Sequence, residues 1–402
     1  MNKSRRVLII GGGIAGPTLS MFLRRAGIDV EVFEAYPRAE NVGGGFQIAP
    51  NGMRVFEALG LAPAIAAEGS AAGEFTFLNH QGRVIGRMRP DRAGKAITTM
   101  RAPLYRVLLD AVAGSGISIQ YGKRLREISH RQGQVIAHFE DGTTAHGDLL
   151  VGADGVHSRV RALIAPEHAR PRYTGMLGIG GLAGSGVQIP DDAARSRSLN
   201  FVLGPRLSFG YARMNARERR WGWWCHLPQQ AEPARSDLQA IPTETLRRQV
   251  ADAFAGWCDP VGPCIASTET IVRTGIYEVP PLPSWSRGPV VLIGDAAHAM
   301  SPAAGQGASL ALEDAMLLAQ LLGDGARPLD RAFADFERRR RGRVRSIAAA
   351  ARSNDERSLK PLGAFGCWMR DRLFPLLAPL LARGLEKQYA ASIPQDRHMM
   401  AP

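Results

Sequence analysis

Cysteine is scarce in this chain, and its scarcity excludes two kinds of stabilising chemistry. The four cysteines, Cys225, Cys258, Cys264 and Cys367, are too few for a disulfide framework and lack the close paired spacing of metal sites. We therefore expect no metal centre, and we expect a reducing, cytoplasmic compartment.

Long hydrophobic runs are also absent. The apolar residues 7–10 follow a basic start, but the run is too short for a signal peptide and ends in glycines, so we expect a first core strand. A second apolar stretch, 373–381, is interrupted by Pro375 and Pro379 and falls short of the roughly 20 residues that span a bilayer. It predicts a C-terminal packing segment and no integral membrane segment.

Negative charge is the minority sign. Lysine and arginine, mostly arginine, total 50 against 37 acidic residues, and the formal net charge is +13. The densest basic run is Arg338–Arg341, with Arg343 and Arg345, in a helix predicted to begin near Asp330. No aromatic interleaving or nucleic-acid motif accompanies the run, so we interpret it as a solvated helix face and expect no nucleic-acid partner. The charge slightly favours an anionic or phenolic ligand.

The first positive signal is a glycine turn between two apolar runs. Residues 7–10 lead into Gly11, Gly13 and Gly16, and Glu34 ends the next apolar run. This is the layout of a dinucleotide-binding unit, although a glycine-rich turn in an ordinary α/β protein is the alternative. Gly11 permits the tight turn, Gly13 lets the backbone approach a pyrophosphate, and Gly16 lets the helix pack close to the sheet. Glu34 would accept a hydrogen bond from a ribose hydroxyl.

The chain is long enough for two domains, since 45% of its 402 residues are apolar. Changes in hydrophobic period predict an α/β fold, in which a mainly antiparallel β-sheet domain is inserted into a discontinuous Rossmann-like domain. The predicted boundaries are 1–74, 101–172 and 288–325 for the Rossmann-like domain, 75–100 and 173–287 for the inserted domain, and 326–402 for a C-terminal helical region.

Three further segments carry a family resemblance. Residues 149–161 form an apolar strand that runs into Asp154 and Gly155, in the order of a "DG" motif. The other two are a "GD" motif with the loop after it, and a glycine-rich loop like one that carries a flavin ring: Gly294–His298 with Pro302 and Gly305–Gly307, and Gly43–Asn51. Together with the glycine turn, these motifs resemble the single-component flavoprotein aromatic hydroxylases, the p-hydroxybenzoate hydroxylase type of FAD monooxygenase.

The resemblance implies FAD as the cofactor and NADH or NADPH as a transient co-substrate. The Rossmann-like domain would then bind FAD, and the inserted sheet would be the substrate domain. Only one glycine-rich dinucleotide unit is present, so the nicotinamide would visit without a second Rossmann site. The residues that the resemblance assigns to FAD are Gly11, Gly13, Ile14, Ala15, Gly16, Glu34, Ala35, Gly45, Phe46, Arg101, Asp154, Gly155, Arg161, Asp295, Pro302, Gly305, Gly307 and Ala308.

Several of these residues have structural alternatives. Asp154 either contributes to FAD and NAD(P)H binding or bonds neighbouring backbone N–H groups while Arg161 braces the loop, and the two roles are compatible. Asp295 would accept from FAD hydroxyls, and a helix N-cap is compatible with that role. Arg101 is either an FAD contact or a surface charge. Ser309 stands where many relatives carry Asn, so one polar contact near the flavin differs.

The implied reaction is the hydroxylation of an aromatic or similar electron-rich small molecule. By resemblance, NAD(P)H reduces FAD, O2 adds to form a flavin hydroperoxide, and one oxygen passes to the substrate while the other leaves as water. Backbone N–H groups at Gly305–Gly307, at the start of a predicted helix, would stabilise negative charge on the reduced ring.

The candidate substrate pocket lies between the flavin and the inserted sheet. Gln47, Phe209 and Trp223 are its candidate residues, and His226 or Tyr211 is the candidate base for a phenolic substrate. Alternation separates the two faces of each strand, but the pattern does not say which face meets the flavin. A core position for the aromatics and a hydrogen-bonded structural role for the base candidates are the alternatives.

Two rival functions are alternatives to the hydroxylase. Residues 221–228 partly resemble the W-x-W-x-I-P pattern of flavin-dependent halogenases, but Cys225 and His226 stand where that pattern has Ile and Pro. A non-catalytic flavin-binding partner protein would keep the same motifs without turnover. The intact motifs favour the hydroxylase, and the oligomeric state is not predicted.

Overall fold

The computed structural model describes residues 5–38, 44–187, 189, 195–325 and 327–390. In chain order the strands are β1 (Arg6–Ile10), β2 (Asp29–Phe33), β3 (Gly45–Ile48), β4 (Ser70–Ala72), β5 (Glu74–Asn79), β6 (Val84–Met88), β7 (Ala96–Met100), β8 (Ile119–Gln120), β9 (Leu125–Arg131), β10 (Gln134–Phe139), β11 (Thr144–Gly147), β12 (Leu149–Gly152), β13 (Arg172–Leu182), β14 (Ser198–Leu203), β15 (Ser208–Asn215), β16 (Arg220–Pro228), β17 (Ile271–Glu278), β18 (Ser286–Arg287) and β19 (Val290–Leu292).

The α-helices lie between groups of these strands, and after β19 they continue alone to the end of the described chain. They are α1 (Ala15–Arg25), α2 (Pro50–Ala58), α3 (Ala62–Glu68), α4 (Arg101–Gly114), α5 (Arg159–Ile164), α6 (Arg235–Ala240), α7 (Thr243–Ala253), α8 (Val261–Ala266), α9 (Asp295–His298), α10 (Gly307–Gly323), α11 (Leu329–Leu359) and α12 (Ala364–Ala390).

The first sheet is the Rossmann-like one. Its order is β18-β19-β12-β1-β2-β8, and all neighbours are parallel except the β18–β19 pair. Residues 7–9 of β1 are fully buried because both faces of the sheet are covered. Ile9 faces α1, where a Cβ on Gly16 would lie 3.2 Å from it, and Leu8 faces β11, where a Cβ on Gly147 would lie 2.8 Å from its Cγ. This confirms the predicted first core strand and the α/β class. The carboxyl ends of β1, β12 and β19 lead directly into the glycine turn, the DG motif and the GD motif.

The second large sheet has the order β17-β13-β16-β15-β14-β5-β6, and only the β14–β5 pair is parallel. It is therefore mainly antiparallel, as predicted. Strands β3, β7 and β4 form a separate three-stranded sheet, in which β7 pairs with β3 of the predicted flavin loop. A further three-stranded sheet joins β9, β10 and β11.

The two faces of the seven-stranded sheet differ in what covers them. One face packs against α7 and α8, whose Leu246, Val250 and Val261 share a buried core with that face. The other face carries glycines at neighbouring positions and contacts β3 and β7. The site described below depends on this division.

The solvated-face interpretation of the basic run in α11 is wrong for part of the run. Arg340 is only 2% exposed, and its guanidinium pairs with Glu313 and Asp314 of α10. Arg343 also donates to Glu313, at 2.9 Å, whereas Arg338 keeps an exposed side chain. A buried arginine needs carboxylate partners, and these lie 26 and 27 residues earlier in the chain, where the run itself gives no sign of them.

The C-terminal packing segment predicted over 373–381 is right for only one side of the helix. Ala378 is buried and Phe374 packs on Phe77, with ring centroids 4.7 Å apart. The leucines of the segment instead point outward, and Leu376 is 76% exposed. Within the described part of the chain, no helix is long and apolar enough to cross a membrane.

Candidate active site

The glycine turn after β1 has the close packing that its sequence predicts. Gly11 has a φ of +117°, and a Cβ there would lie 2.2 Å from the carbonyl oxygen of Ala153. A Cβ on Gly16 would lie 2.0 Å from the carbonyl oxygen of Gly11 and 3.2 Å from Ile9 of β1. The turn, the helix and the strand therefore fit together only with glycine at both positions.

Gly13 faces open space, in contrast to its neighbours. A Cβ built on it meets no described atom within 4 Å. None of the described side chains caps the N-terminus of α1, where Ile14 is the N-cap residue and Ala15 the first helical residue. The unpaired N–H groups of this helix end are the kind of donor that a pyrophosphate takes. The predicted approach of a phosphate to Gly13 is thus sterically possible.

Glu34 lies beside the turn, at the end of β2. Its Oε2 accepts from the N–H of Gly12 at 2.7 Å, and its Oε1 accepts from the N–H of Tyr36 at 2.9 Å. The carboxylate is therefore oriented, and each oxygen has a further lone pair for a ribose hydroxyl. Tyr105, which the sequence analysis missed, donates its hydroxyl to the carbonyl of Gly12 at 2.6 Å. Its place on α4, 93 residues away, left no local signal.

Asp154 of the DG motif bonds neighbouring backbone N–H groups, which is the structural role predicted as one of its two alternatives. Its Oδ1 accepts from the Ser158 hydroxyl at 2.6 Å, and its Oδ2 accepts from the N–H groups of Arg159 and Val160 at 2.7 and 3.0 Å. Desolvation raises the pKa of this carboxyl, while these hydrogen bonds lower it in part. Gly155, which follows, has a φ of +79°.

Arg161 braces the loop, as the same alternative predicts. It is fully buried, and its guanidinium donates to the carbonyls of Val156 at 2.6 Å and Ala169 at 3.1 Å. It also donates to the carbonyl of Ala296 in α9, at 2.9 Å. One side chain therefore joins the DG motif to the GD motif.

The GD motif places Asp295 at the first residue of α9. The N-cap residue is Gly294, with a φ of +58°, so the alternative role of Asp295 as an N-cap is wrong. Solvent reaches its side chain, yet the surrounding protein desolvates the carboxyl enough to raise its pKa, and the nearby His298 and Arg101 lower it in part. A Cβ on Gly307 would lie 3.8 Å from Asp295 Oδ1. The carboxylate thus lies beside the start of α10.

The start of α10 meets the predicted flavin loop. A Cβ on Gly305 would lie 3.4 Å from Gln47 Oε1, and Ser309 Oγ accepts from the N–H of Ala49 at 3.0 Å. Ser309 therefore makes a polar contact with the loop even though it is shorter than Asn. No side chain of the described residues caps α10, so its first N–H groups are available to negative charge on a ligand.

A buried network of polar side chains holds α10 in position. Asn51 donates to Gln306 and Glu313, at 3.1 and 2.8 Å. Asp314 Oδ2 accepts from the N–H of Gly294 at 2.9 Å and lies 2.6 Å from His298 Nε2. His298 and Arg340 lower the pKa of the Asp314 carboxyl despite its burial. The network ties the GD motif, the flavin loop and α11 to one helix.

The remaining predicted cofactor residues lie around these groups. Arg101 begins α4 and donates its N–H to the carbonyl of Gly44 at 3.3 Å, while Phe46 lies in β3 opposite Thr99. Ala35 follows Glu34 in a bend, Pro302 begins a short 3-10 helix, and Ala308 lies in the first turn of α10. Gly43 lies outside the described residues. The structure brings the separate motifs together, and whether each residue touches FAD stays a prediction.

Three pocket predictions fall on the wrong face of the seven-stranded sheet. Phe209 and Tyr211 are fully buried and Trp223 is 2% exposed, all in the core with α7 and α8. Phe209 stacks on Trp223 with centroids 5.3 Å apart, and Trp223 Nε1 donates to Thr268 at 2.8 Å. Tyr211 is therefore no candidate base, and Phe209 and Trp223 are no candidate pocket wall, because helices cover them.

The opposite face supplies aromatic residues that sequence reasoning missed. Trp224 is half-buried and packs edge-on against Phe201, with ring centroids 5.8 Å apart. The Phe201 ring is in turn nearly parallel to the Phe75 ring, with centroids 6.4 Å apart. Both strand neighbours of Trp224 are glycines, Gly180 and Gly210. The Trp224 ring lies over Gly210, where a Cβ would come within 2.2 Å of it. Glycine beside a large ring was the signal in the sequence that could have identified this packing.

Contact with the flavin loop identifies this face as the one toward the cofactor motifs. A Cβ on Gly45 in β3 would lie 2.7 Å from the sulfur of Met214, which shares a buried cluster with Ala212 and the half-buried Trp224. The Thr98 hydroxyl of β7 also donates to the carbonyl of Arg213 at 2.6 Å. The glycine-bearing face and the loop therefore meet directly.

His226 lies on this face, opposite Gly178 in the register of β13 and β16. Desolvation lowers the pKa of its imidazole to about 4. A base whose conjugate acid is this strong removes a phenolic proton poorly, since the best general base has a pKa near the working pH. Of the two candidates, His226 has the right position and Tyr211 does not, but proton removal is the weaker of the roles open to His226.

Tyr389 of α12 was not predicted as part of the site. It is 2% exposed, and its hydroxyl accepts from Gln47 Nε2 at 3.2 Å. Burial raises the pKa of the phenol to about 12. The C-terminal helix therefore reaches the flavin loop, a contact across 342 residues that no local pattern reports.

Comparison with known proteins agrees with this geometry. The family model for an FAD binding domain matches residues 4–347. Aurachin C monooxygenase/isomerase from Stigmatella aurantiaca is 32% identical over 389 residues, covering 94% of this chain and 96% of that protein. FAD-dependent urate hydroxylase from Klebsiella pneumoniae is 30% identical over 355 residues, covering 86% and 88%. The structure of Klebsiella pneumoniae HpxO with FAD and uric acid has a TM-score of 0.83 at 26% identity, covering 96% and 97%.

The fold and the site define a flavin-dependent monooxygenase of the aromatic hydroxylase type, which confirms the resemblance. The chain belongs to the FAD binding domain family. The residues present fit FAD: open space at Gly13, two uncapped helix ends, and carboxylates at Glu34 and Asp295. FAD is the cofactor, NADH or NADPH is the co-substrate typical of the family, and these relatives give no support to the halogenase alternative.

Proposed function

We propose that this chain hydroxylates a planar aromatic substrate held between the flavin loop and the glycine-bearing face of the seven-stranded sheet. The contact of Gly45 with Met214 carries the proposal, because it brings that face to the loop. When bound, FAD supplies hydride acceptance from NAD(P)H and the activation of O2. Every other contribution comes from the placement and charge of the protein's own groups.

The proposed cofactor contacts follow from the donors and acceptors described above. Glu34 accepts from a ribose hydroxyl, and the N-terminus of α1 donates to the pyrophosphate across Gly13. Asp295 accepts from further hydroxyls of the cofactor, and Arg101 lies near enough to lower the pKa of that carboxyl. The N–H groups of Gly307 and Ala308 stabilise negative charge near the flavin ring.

The proposed substrate wall is Trp224, Phe201 and Phe75, with His226 as its polar group. The half-buried rings give an aromatic substrate faces and edges to pack on. A neutral imidazole both donates and accepts, so His226 would orient a hydroxyl, an oxo group or a ring nitrogen. The named substrate of one of the relatives above, urate, is a planar heterocycle that carries such groups, and we extend that class to this chain.

A substrate screen tests the proposed function. FAD-loaded protein is mixed with NADH or NADPH and a set of hydroxylated aromatic and heteroaromatic compounds, and NAD(P)H oxidation is followed. We expect at least one compound to accelerate oxidation and to gain one atom of isotopically labelled oxygen from O2. Failure of every compound to accelerate flavin reduction, or a product without the label, would contradict the proposal.

A matched pair of variants tests the proposed wall. In Trp224→Phe, we expect KM for the substrate identified in the screen to rise about two- to tenfold. This range corresponds to the free energy of one edge-to-face aromatic contact. Trp221→Phe is the control, since Trp221 belongs to the core on the helix side. Equal KM changes in the two variants would show that the wall lies elsewhere.

A further inference from the structure

The outward side of α12 carries a continuous apolar stripe. Eight large side chains, each at least 42% exposed, recur at helical spacing and are called here the α12 stripe: Phe365, Trp368, Met369, Leu373, Leu376, Leu377, Leu380 and Leu381. At 1.5 Å per residue the stripe is about 24 Å long. Elsewhere in the described chain, exposed large apolar side chains occur singly, so this concentration is unusual.

None of the elements described above packs on this side of the helix. The inward side packs through small residues, with Ala378 and Ala382 buried, and through Phe374, which contacts Phe77. Tyr389 completes the inward side near the flavin loop. A large apolar surface that the fold leaves in water costs solubility, and such patches mark interaction sites.

The charges on α12 are divided between its two sides. Arg372, Arg383 and Lys387 are exposed along with the stripe, and the Arg372 guanidinium lies 5.7 Å from the Trp368 ring. The two acidic residues of the helix turn toward the protein: Asp371 accepts from Asn79 at 2.9 Å, and Glu386 accepts from the N–H of Arg92 at 3.2 Å. The stripe is therefore accompanied by cations alone.

We propose that α12 docks the protein on an anionic phospholipid bilayer, with the helix lying in the plane of the interface. Leucine, tryptophan and phenylalanine on one face, accompanied by basic residues, are the composition of interfacial helices, and the net charge of +13 attracts the protein to an anionic surface. The helix is not a span, since none of the described helices meets that requirement.

A second copy of the chain is the less favourable occupant. In a symmetric dimer, each residue of the patch faces the same patch on the other copy. Arg372, Arg383 and Lys387 would then face a surface that carries the same cations and, on the outward side of the helix, no carboxylate to pair with them. Anionic head groups neutralise these cations, whereas a copy of this chain repels them.

Docking would also place the flavin loop close to the lipid. Leu380 of the α12 stripe and Tyr389 are nine residues apart on one helix, about 14 Å along its axis. Tyr389 accepts from Gln47 of the loop. A helix held at the interface therefore keeps that loop near the lipid surface.

Vesicle co-sedimentation tests the proposal. The FAD-loaded full-length protein is mixed with vesicles of phosphatidylcholine alone, or of phosphatidylcholine with phosphatidylglycerol, and the bound fraction is measured at low and high salt. We expect binding to the anionic vesicles to exceed binding to the neutral ones by about tenfold at low salt and to fall as salt screens the cations.

Two variants and a control identify the surface. Leu376→Asn with Leu380→Asn removes the two most exposed leucines, and Arg372→Glu with Arg383→Glu reverses the charge. We expect each pair to weaken anionic-vesicle binding about tenfold or more, with unchanged flavin absorbance and thermal midpoint. Ile241→Asn is the matched control, because Ile241 is 39% exposed but lies between α6 and α7, and it should bind like the unmodified protein.

Three outcomes would overturn the proposal. The first is the absence of binding to anionic vesicles by the unmodified protein. The second is undiminished binding by both variant pairs. The third is a concentration-dependent dimer, measured by sedimentation equilibrium, that the leucine pair abolishes while vesicles remain unbound, which would assign the stripe to a second copy of the chain.

Discussion

The two faces of the seven-stranded sheet use similar residues for opposite purposes. On the helix side, Phe209 and Trp223 are fully or almost fully buried and stack on each other under α7 and α8. On the flavin side, Trp224 and Phe201 are only half-buried, and glycines flank Trp224. Aromatic content therefore does not distinguish a core from a pocket. What covers each face does, because α7 and α8 close the helix side, whereas the Trp224 indole, which lies over Gly210, stays half-exposed on the flavin side.

The largest expected effect is a difference in stability between alanine variants on the two faces of the sheet. Phe209→Ala leaves a cavity in a closed core, so we expect the free energy of unfolding to fall by about 3–5 kcal/mol in urea denaturation. Phe201→Ala removes a ring that solvent already reaches, and about 1–2 kcal/mol is expected. Equal losses for the two variants would mean that the two faces are equally packed.

A pair of glycine-to-alanine substitutions, one on each face of the sheet, sharpens the comparison. An alanine Cβ at Gly210 would lie 2.2 Å from the Trp224 ring, whose half-exposed indole can move, whereas one at Gly181 would lie 2.4 Å from Thr268 Cγ2 in the helix-side core. We expect Gly181→Ala to destabilise by about 1–3 kcal/mol with unchanged KM. Gly210→Ala should raise KM for the aromatic substrate several-fold at a smaller cost in stability. The reverse pattern in steady-state kinetics and urea unfolding would exchange the roles of the faces.

The smallest effect concerns pH. Desolvation lowers the pKa of His226 from 6.5 to about 4, so between these values the unfolded chain binds a proton that the folded chain does not. The free energy of unfolding should fall as the pH falls through this window, by well under the roughly 3 kcal/mol that the whole shift would give, because solvent screens the half-buried ring.

Unfolding of His226→Gln measured across the same window provides the check. Removal of the imidazole should flatten this part of the pH dependence. If the free energy of unfolding changes with pH equally in the variant and the unmodified protein, His226 is not desolvated on the flavin side and behaves as an ordinary surface histidine.

Local spacing determined the nucleotide-binding part of this protein. Gly11, Gly16, Glu34 and Arg161 lie within short segments whose backbone geometry follows from their own sequence, so their positions in the turn and the loops were predictable. The order of the motifs along the chain also predicted the family and its cofactor.

Tertiary structure decided the rest. The face of Tyr211, the burial of Arg340 by Glu313 and Asp314, and the contact of Tyr389 with Gln47 all depend on partners that lie far away in the chain. Alternation assigns side chains to two faces but does not say what covers each of them. Which face stays open, and which charge is buried, is set only when separate elements pack against one another.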